Sequence, residues 1–308
     1  MYHFVINAHA KSRLGHGIWK NIEQFLEKKE FTYKKYFTRE AGHATKVARQ
    51  ITSGTDEDIT IVVLGGDGTL NEVLNGIRDV EQVTLGYIPI GSSNDFARGM
   101  GIQKSYRMQI EKILQPTNFI DLDYGVATFG EKQKRFFVSS GMGFDAAVCH
   151  EVNHSKLKKL LNRINFGKLT YGLIAVKQLM GIPYIDGTIL LDDTKRIHYN
   201  KIFFSAVHVQ KFEGGGFMFC PKADPKDGYL DLCVAENIAR WKALCILPFA
   251  KKGKHVHFSE IHTYRCKKAV FEMNKRQYVH VDGETKAHGK YNKVTFETSP
   301  KKIRFIAG

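Results

Sequence analysis

The sequence predicts an α/β fold in two parts: a first domain with a doubly wound parallel sheet and a second, mostly antiparallel, β-sandwich-like domain. The chain has 308 residues, which is long for one domain and suits two. Strand and helix patterns alternate over the first part, which is typical of a parallel sheet covered by helices. After about residue 120, strand patterns follow one another with turns between them, which is typical of an antiparallel sheet.

Hydrophobic periodicity predicts the elements of the first part. Residues 59–64 are apolar and β-branched throughout, as expected of a strand that is buried on both faces. Residues 18–29 have the spacing of an amphipathic helix. Strands are predicted at 2–6, 31–37, 59–64 and 84–89, and helices at 18–29, 41–51 and 70–77.

In the second part, Gly, Asp and Asn turns separate the predicted strands. These strands lie at 135–139, 187–191, 201–209, 229–234, 267–271, 278–281 and 293–296. We expect the first domain to span residues 1–120 and the second to span residues 121–296. The last residues, 297–308, include one more strand pattern, which we expect to return to the sheet of the first domain.

The charge of the chain favours an anionic partner. Lys and Arg number 46 against 31 Asp and Glu, so the formal net charge is +15. Residues 251–308 alone hold fourteen Lys and Arg against five Asp and Glu. Nucleic acid and an anionic lipid surface both suit this charge. No zinc-ligand spacing, helix-turn-helix pattern or aromatic RNA-binding run is visible, so we expect no nucleic acid partner.

Three further features bear on location. No apolar stretch approaches the length needed to cross a bilayer. The chain does not open with a basic segment followed by an apolar one, as a secretory signal would. The five cysteines form no CxxC pair, and an odd number fits a reducing compartment. We therefore expect a cytoplasmic protein, which the basic charge would hold at a membrane surface.

A glycine-rich loop follows the predicted buried strand at 59–64. Residues 65–72 read Gly-Gly-Asp-Gly-Thr-Leu-Asn-Glu, and ligands of open α/β sheets bind beyond the carboxyl ends of the strands. Glycines let backbone N–H groups approach a phosphate, and a helix N-terminus adds its dipole. Asp67 suits such a loop only if a cation lies between, so we expect it to hold Mg²⁺, usually through water. The alternative is a tight turn that begins a helix at Thr69.

A second polar loop follows the predicted strand at 84–89. Residues 90–98 contain Gly91, two serines and the pair Asn94 and Asp95. Asp95 could share the metal ion with Asp67. It could also cap the next helix, because Asp and Asn are favoured at that position.

Seven motifs occur in the order found in a known family. They are residues 65–72 (GGDGTLNE), 91–97 (GSSNDFA), 140–146 (SGMGFDA), 166–171 (FGKLTY), 227–231 (DGYLD), 253–255 (GKH) and 281–284 (VDGE). With these motifs the chain resembles the diacylglycerol kinase catalytic family, which includes sphingosine kinases and bacterial lipid kinases. The resemblance covers most of the chain and implies that the first domain binds a nucleotide.

The resemblance also implies an ATP site. The positions that match the family's nucleotide contacts are Asn7, Thr38, Gly66, Asp67, Gly68, Thr69, Leu70, Asn71, Glu72 and Ser92. The first phosphate loop departs from the family pattern, which usually reads Asn-Pro-x-Ser/Ala-Gly. Here Ala8 follows Asn7, and the nearest glycines are Gly15 and Gly17, which are expected to serve the loop instead.

Two acidic residues near the end of the chain match the family's base motif. Asp282 and Glu284 flank Gly283, and a lipid hydroxyl needs a carboxylate to accept its proton. We favour Glu284 as the base, with Asp282 sharing the role or orienting the metal-bound water. On an extended strand both side chains would share one face. A turn at Gly283 would separate them, and Asp-Gly is a strong turn signal.

A third acidic segment matches a structural Mg²⁺ site of bacterial members of the family. The residues concerned are Asp224, Asp227 and Tyr229. A plain turn explains the sequence Asp-Pro-Lys-Asp-Gly equally well, so both interpretations stay open.

The resemblance implies an ATP-dependent lipid kinase with Mg²⁺, acting on diacylglycerol or a similar lipid at an anionic membrane surface. A small-molecule kinase of the NAD kinase type and a non-catalytic lipid-binding regulator are the alternatives. A homodimer is compatible with the sequence. Residues 156–180 have a basic amphipathic pattern, which is more typical of a helix covering its own core than of a membrane-surface helix.

Overall fold

The computed structural model describes residues 1–54, 58–102, 105–154, 181, 183–285 and 289–307. The amphipathic segment at 156–180 and the motif at 166–171 lie outside these residues. The strands are β1 (Tyr2–Ile6), β2 (Tyr33–Phe37), β3 (Ile59–Gly65), β4 (Val83–Pro89), β5 (Phe119–Leu122), β6 (Gly125–Phe129), β7 (Lys132–Phe136), β8 (Ser139–Gly143), β9 (Ile185–Leu191), β10 (Lys195–His208), β11 (Leu230–Glu236), β12 (Ile261–Cys266), β13 (Lys268–Val281), β14 (Lys290–Thr298) and β15 (Ile303–Ile306). The helices are α1 (Ala10–Lys28), α2 (His43–Ile51), α3 (Asp67–Gly76), α4 (Asp95–Gly99), α5 (Tyr106–Leu114), α6 (Phe144–His154) and α7 (Arg240–Ala250).

The first sheet has six strands in the order β2-β1-β3-β4-β15-β5, and all neighbours are parallel except β15 and β5. Alternate residues of β3 point to opposite faces. Val63 packs in a cluster with α2 and α3, whereas Val62 packs in a cluster with α1 and α5. Helices therefore cover both faces, and the predicted doubly wound sheet is confirmed.

The last strand of the chain lies inside this first sheet. β15 pairs in parallel with β4 and antiparallel with β5. The ring of Phe305 on β15 lies 5.5 Å from that of Phe96 on α4, which in turn lies 5.2 Å from Phe137, just after β7. Three segments that are distant in the sequence thus meet in one aromatic cluster beneath the loops that follow β3 and β4.

The second sheet has nine strands, and it confirms the antiparallel, sandwich-like prediction. Its order is β12-β11-β10-β8-β13-β14-β6-β7, and β9 pairs with both β10 and β13. β10 and β13 are each fourteen residues long. Each pairs with β9 along one half and with β8 along the other, so both strands pass from one layer to the next.

Two element predictions for the second part are corrected. The predicted strand at 135–139 is divided between β7 and β8, because the N–H groups of Phe137 and Val138 donate to the Asp282 carboxylate instead of to a strand. The predicted strands at 267–271 and 278–281 are one strand, β13. Its pairing with β14 shifts register between Glu272 and Gln277, where the polar sequence resembles a turn.

Two boundaries in the first domain also differ from the prediction. Helix α1 begins at Ala10 rather than at residue 18, because the N–H of Ala10 already bonds to the carbonyl of Asn7. Helix α3 begins at Asp67 rather than at residue 70, so the first acidic candidate lies in the first turn of a helix.

Candidate active site

The two polar loops predicted at the ends of β3 and β4 lie against each other. A Cβ atom placed on Gly91 would lie 2.6 Å from the Cα atom of Gly66, so neither position has room for a side chain. A Cβ atom on Gly65 would lie 2.7 Å from Thr69. The glycines therefore bring the backbone of both loops together at the N-terminus of α3. The first N–H groups of a helix have no carbonyl partner within it and suit an anion such as phosphate.

Asn7 joins the end of β1 to this loop. Its Nδ2 donates to Thr69 Oγ1 at 3.0 Å, and its Oδ1 accepts the N–H of His9 at 3.1 Å. The structure thus brings the ends of the first, third and fourth strands together. The departure from the family pattern after Asn7 lies at the start of α1.

Asp67 is the acidic residue of the glycine loop. Its carboxylate accepts the N–H of Asp95 at 2.8 Å and that of Phe96 at 3.3 Å, which fixes the start of α4. The pKa of Asp67 is raised to about 6, chiefly by burial and also by the nearby carboxylates of Asp95 and Asp282, while the two N–H donors oppose the shift. A partly buried carboxylate whose charge is unfavourable, at the N-terminus of a helix that suits an anion, also suits a bound cation.

The backbone N–H of Asp95 lies beside the Asp67 carboxylate, whereas the Asp95 carboxylate faces the second domain. Oδ2 accepts the N–H of Gly215 at 2.7 Å, and Oδ1 pairs with the Arg98 guanidinium. Burial raises the pKa of Asp95, while the Gly215 N–H and Arg98 oppose that effect. The side chain holds the loop at 213–217 to the first domain, so both of its oxygens already have partners.

The Asp-Gly-Glu motif forms a two-residue turn. Asp282 and Gly283 have φ values of +46° and +78°, and Val281 pairs with Glu284 across them. Positive φ at both central residues is the pattern of a type I′ hairpin turn. Of the two arrangements predicted for this motif, the turn is the one present, and it sends the two carboxylates in different directions.

The Asp282 carboxylate points inward and is fully hydrogen-bonded. Oδ2 accepts Asn71 Nδ2 at 2.7 Å and the Phe137 N–H at 2.9 Å, while Oδ1 accepts the N–H groups of Val138 and Ser139 at 2.8 and 3.0 Å. Burial raises the pKa of Asp282, and the backbone donors oppose this. Because Asn71 belongs to α3, this carboxylate ties the two domains together.

The Glu284 side chain points outward, towards the glycine loop. Its Oε1 atom lies 3.9 Å from the position that a Cβ atom on Gly68 would occupy. The residue is exposed. Of the two acidic residues in the motif, Glu284 is therefore the one that faces the N-terminus of α3 and can reach a bound molecule there.

Several matched ATP-binding side chains have structural roles. Leu70 is buried in the core, Thr38 is buried at the end of β2, and Glu72 Oε2 accepts the Ala44 N–H at the start of α2. Asn71 bonds to Asp282 and to the Arg135 carbonyl. Ser92, by contrast, is exposed on the loop after β4.

In the segment at 224–229, one carboxylate faces a cation and the other accepts a backbone N–H group. Asp227 Oδ2 pairs with Arg265 at 3.2 Å, and the Tyr229 ring lies between Arg265 and Lys267. Asp224 Oδ1 accepts the Lys226 N–H at 3.2 Å. In this arrangement the two carboxylates bind an arginine and a backbone N–H group, as in a turn, although carboxylate oxygens are also ligands that Mg²⁺ takes.

A lysine lies where that turn meets the first domain. Lys302 Nζ lies 3.0 Å from Asp123 Oδ1 and donates to the Lys226 carbonyl at 2.7 Å. The other Asp123 oxygen accepts the Gly228 N–H at 2.6 Å. The ammonium group therefore bridges a buried carboxylate and a backbone carbonyl, which are the ligand types that a hard cation would take.

Sequence reasoning missed a buried cluster behind the Asp-Gly-Glu turn. His280 Nδ1 accepts the Gly283 N–H at 3.3 Å, and His280 Nε2 lies 3.6 Å from Glu213 Oε1. The other Glu213 oxygen lies 3.3 Å from His208 Nε2, and burial lowers the pKa of His208 to about 3. These residues lie on different strands and loops, so no local sequence pattern predicts that they meet. They connect the turn to the loop that holds Asp95.

Within the residues that the structure describes, no helix is long and apolar enough to span a membrane. Over the same residues, no three His, Cys, Asp or Glu side chains form a metal-binding group. A Mg²⁺ ion at Asp67 would therefore need nucleotide phosphates and water for its other ligands.

Comparison with known proteins agrees with this architecture. The family model described as the diacylglycerol kinase catalytic domain matches residues 1–124. The model described as the YegS C-terminal NAD kinase beta sandwich-like domain matches residues 138–307. The chain belongs to the diacylglycerol kinase catalytic-domain family. The kinase resemblance seen in the sequence motifs is thereby confirmed, and the family is one of lipid kinases.

Individual relatives cover most of the chain. YtlR of Bacillus subtilis, assigned to the lipid kinases by name, is 30% identical over 91% of this chain and 92% of its own. A diacylglycerol kinase of the same organism is 28% identical over 86% of this chain and 84% of its own. A solved structure titled as a diacylglycerol kinase from Bacillus anthracis covers 99% of this chain and 96% of its own, with a TM-score of 0.71 and 20% identity, which supports the fold.

Proposed function

We propose that this family member transfers the γ-phosphate of ATP to a hydroxyl group of diacylglycerol or a similar lipid. The observation that carries the proposal is the position of Glu284, whose exposed carboxylate lies opposite Gly68 at the N-terminus of α3. A phosphate-binding helix end and a carboxylate that can accept a proton thus face one another across a single gap.

Each site residue has a distinct part in the proposal. The backbone around Gly66 and Gly68 binds the phosphates of ATP, and Asp67 holds Mg²⁺ through water. Asp282 and Asp95 position the site, because each carboxylate accepts a hydrogen bond from the opposite domain: Asp282 from Asn71 Nδ2 and Asp95 from the Gly215 N–H. Glu284 acts as the general base. Bound Mg²⁺ neutralises charge on the phosphates.

The transfer itself needs little covalent chemistry from the protein. The lipid oxygen forms a bond to the γ-phosphorus while the bond from that phosphorus to the bridging oxygen of ADP breaks. The hydroxyl proton passes to Glu284, which later releases it to water. A lipid hydroxyl is a weak nucleophile at neutral pH, so proton removal by a positioned carboxylate contributes roughly 10²–10⁴-fold to the rate.

The names of the relatives support the proposed substrate class. The Bacillus subtilis and Mycobacterium tuberculosis relatives are named diacylglycerol kinases, and we extend that class of acceptor to this chain. The net charge of +15 supports work at an anionic membrane surface, where we place the protein as a peripheral, cytoplasmic enzyme.

A panel of acceptors tests the proposal. The protein is incubated with γ-labelled ATP, Mg²⁺ and either diacylglycerol, monoacylglycerol, a sphingoid base, phosphatidylglycerol or NAD. We expect label in a lipid product and none in NAD. Label only in NADP would favour the NAD kinase alternative, and ATP binding without transfer to any acceptor would favour the non-catalytic one.

A further inference from the structure

Helix α7 of the second domain carries apolar side chains on its outer side. Trp241 is 68% exposed and Phe249 is 46% exposed. Cys245 and Pro248, between them in the sequence, are exposed as well. Spacings of four, seven and eight residues from Trp241 place all four side chains on one side of the helix.

The opposite side of α7 is covered. Ala243 and Ile246 are buried in a cluster of the second domain that includes Phe203 and Phe204, and Ala250 is buried as well. Packing therefore accounts for the inner side of the helix. On the outer side, the Phe249 ring contacts Phe258 at 5.4 Å between ring centres, yet Phe249 and above all Trp241 keep large exposed areas. Single exposed apolar residues are common on protein surfaces, whereas several large ones on the same side of a helix are typical of an interaction surface.

The surroundings of this outer side are basic. The stretch 239–254 contains five Lys and Arg and no Asp or Glu. Lys251, Lys252 and Lys254 are exposed just beyond the end of the helix, and Lys242 pairs with Glu260. Aromatic residues with a basic border are complementary to an anionic bilayer, in which Trp prefers the headgroup level and Lys the phosphates.

The C-terminal end of α7 is connected to the candidate active site. The carbonyl of Ala250 accepts the Met218 N–H at 2.8 Å, and the Lys251 ammonium lies 5.4 Å from the centre of the Phe217 ring. A few residues earlier in the same loop, the Gly215 N–H donates to Asp95. The end of α7 therefore contacts the same loop that bonds to Asp95 in the candidate site.

We propose that α7 and the three lysines after it dock the protein on an anionic lipid bilayer, with Trp241 and Phe249 inserted among the headgroups. The inference deepens the proposed function and rests on it in one respect, namely that the acceptor stays in the bilayer during the reaction. Vesicle binding itself is measured without ATP.

Tryptophan fluorescence gives a local readout. The chain has two tryptophans, and Trp19 is only 1% exposed in the core of the first domain. We expect phosphatidylcholine vesicles that contain phosphatidylglycerol to shift the emission to the blue and to protect it from acrylamide. Trp241→Phe, measured by sedimentation with the vesicles, is expected to bind but to lose this emission change. An unchanged wild-type emission on bound vesicles would overturn the proposal.

Variants of the surface complete the test. Trp241→Ala combined with Phe249→Ala is expected to lower partitioning into these vesicles about tenfold, because less apolar area leaves water. Lys251→Gln combined with Lys252→Gln is expected to weaken binding to anionic vesicles and to reduce its dependence on salt. Met108→Ala, which alters an apolar side chain 44% exposed on α5, is the matched control and should bind like wild type.

Other outcomes contradict the inference. Absence of wild-type vesicle binding, or equal binding by the double aromatic variant and wild type, would show that α7 is not the docking surface. Loss of self-association in that variant with intact vesicle binding would make the outer side an interface between two copies of the chain. A protein that binds vesicles through α7 yet phosphorylates no lipid would disprove the proposed function alone.

Discussion

At the scale of single residues, the two acidic groups of the Asp-Gly-Glu turn have separate roles because the turn separates them. Asp282 accepts four hydrogen bonds and has no free face, whereas Glu284 is exposed opposite Gly68. An acceptor that is already used by backbone N–H groups gains little by taking a substrate proton. Asp282 is therefore expected to matter for the fold more than for proton transfer.

Replacing Asp282 by Asn tests that separation. The amide nitrogen would face N–H donors, so at least one buried hydrogen bond is lost, at a cost of about 1–3 kcal/mol. We expect a lower free energy of unfolding in urea. Asp193→Asn is the matched control, because Asp193 also has positive φ in a hairpin turn but carries an exposed carboxylate. Unchanged stability of Asp282→Asn would contradict the bonding described here.

The raised pKa of Asp67 predicts a pH dependence of Mg·ATP binding. The folded-state pKa is about 6 against a usual 3.8, so the ionised form is lost as pH falls through about 6. Because the folded protein holds this proton more tightly than the unfolded chain does, the free energy of unfolding also falls as pH rises from 3.8 to about 6. Calorimetry from pH 5 to pH 8 should show affinity falling towards the acid end. The Asp67→Ala variant measures how much of the change in affinity comes from titration of ATP itself. If the wild-type and variant affinities change with pH in parallel, the assignment of Mg²⁺ to Asp67 is refuted.

At the scale of elements, the segment at 224–229 is held to the start of the second domain and to the chain end. Lys302, just before β15, bridges Asp123 and the Lys226 carbonyl, and Arg265 on β12 pairs with Asp227. Two internal cations thus neutralise a turn whose sequence resembles a metal site. Their contribution to stability should not depend on a divalent ion.

Lys302→Met tests this account of the turn. The change leaves the Asp123 carboxylate buried without its cation, and we expect a melting temperature lower by several degrees, equivalent to about 1–3 kcal/mol. Lys301→Met is the neighbouring control, because Lys301 pairs with the exposed residues Asp79 and Glu81. Wild-type melting should be the same in EDTA and in Mg²⁺. A wild-type melting temperature that falls in EDTA would instead indicate a metal at the turn.

Local sequence patterns predicted those parts of the fold and site that depend on neighbouring residues. The apolar run at 59–64 and the loops after it placed Asp67 and Asp95 near each other, because parallel strand ends share one edge of a sheet. The contact between Lys302 and Asp123 joins residues far apart in sequence. Charge pairs of this kind leave no local signal, and the same holds for His208, Glu213 and His280.

At the scale of the whole molecule, the candidate active site exists only where the two domains meet. Glu284 comes from the second sheet and Gly68 from the first, while β15 returns the chain end to the first sheet. Asp95 and Asp282 each bond across the junction. If the proposed function is correct, rigid attachment of the two domains is the condition for placing the Glu284 carboxylate opposite ATP.

The most direct test of the central claim is steady-state transfer to lipid by Glu284→Gln. The amide keeps the size of the side chain and removes the proton acceptor. We expect kcat to fall about 10²–10⁴-fold while calorimetric affinity for Mg·ATP stays the same. Glu131→Gln, at an exposed turn of the second domain, should behave like wild type. Normal kcat for Glu284→Gln on a lipid that the wild type phosphorylates would contradict the account.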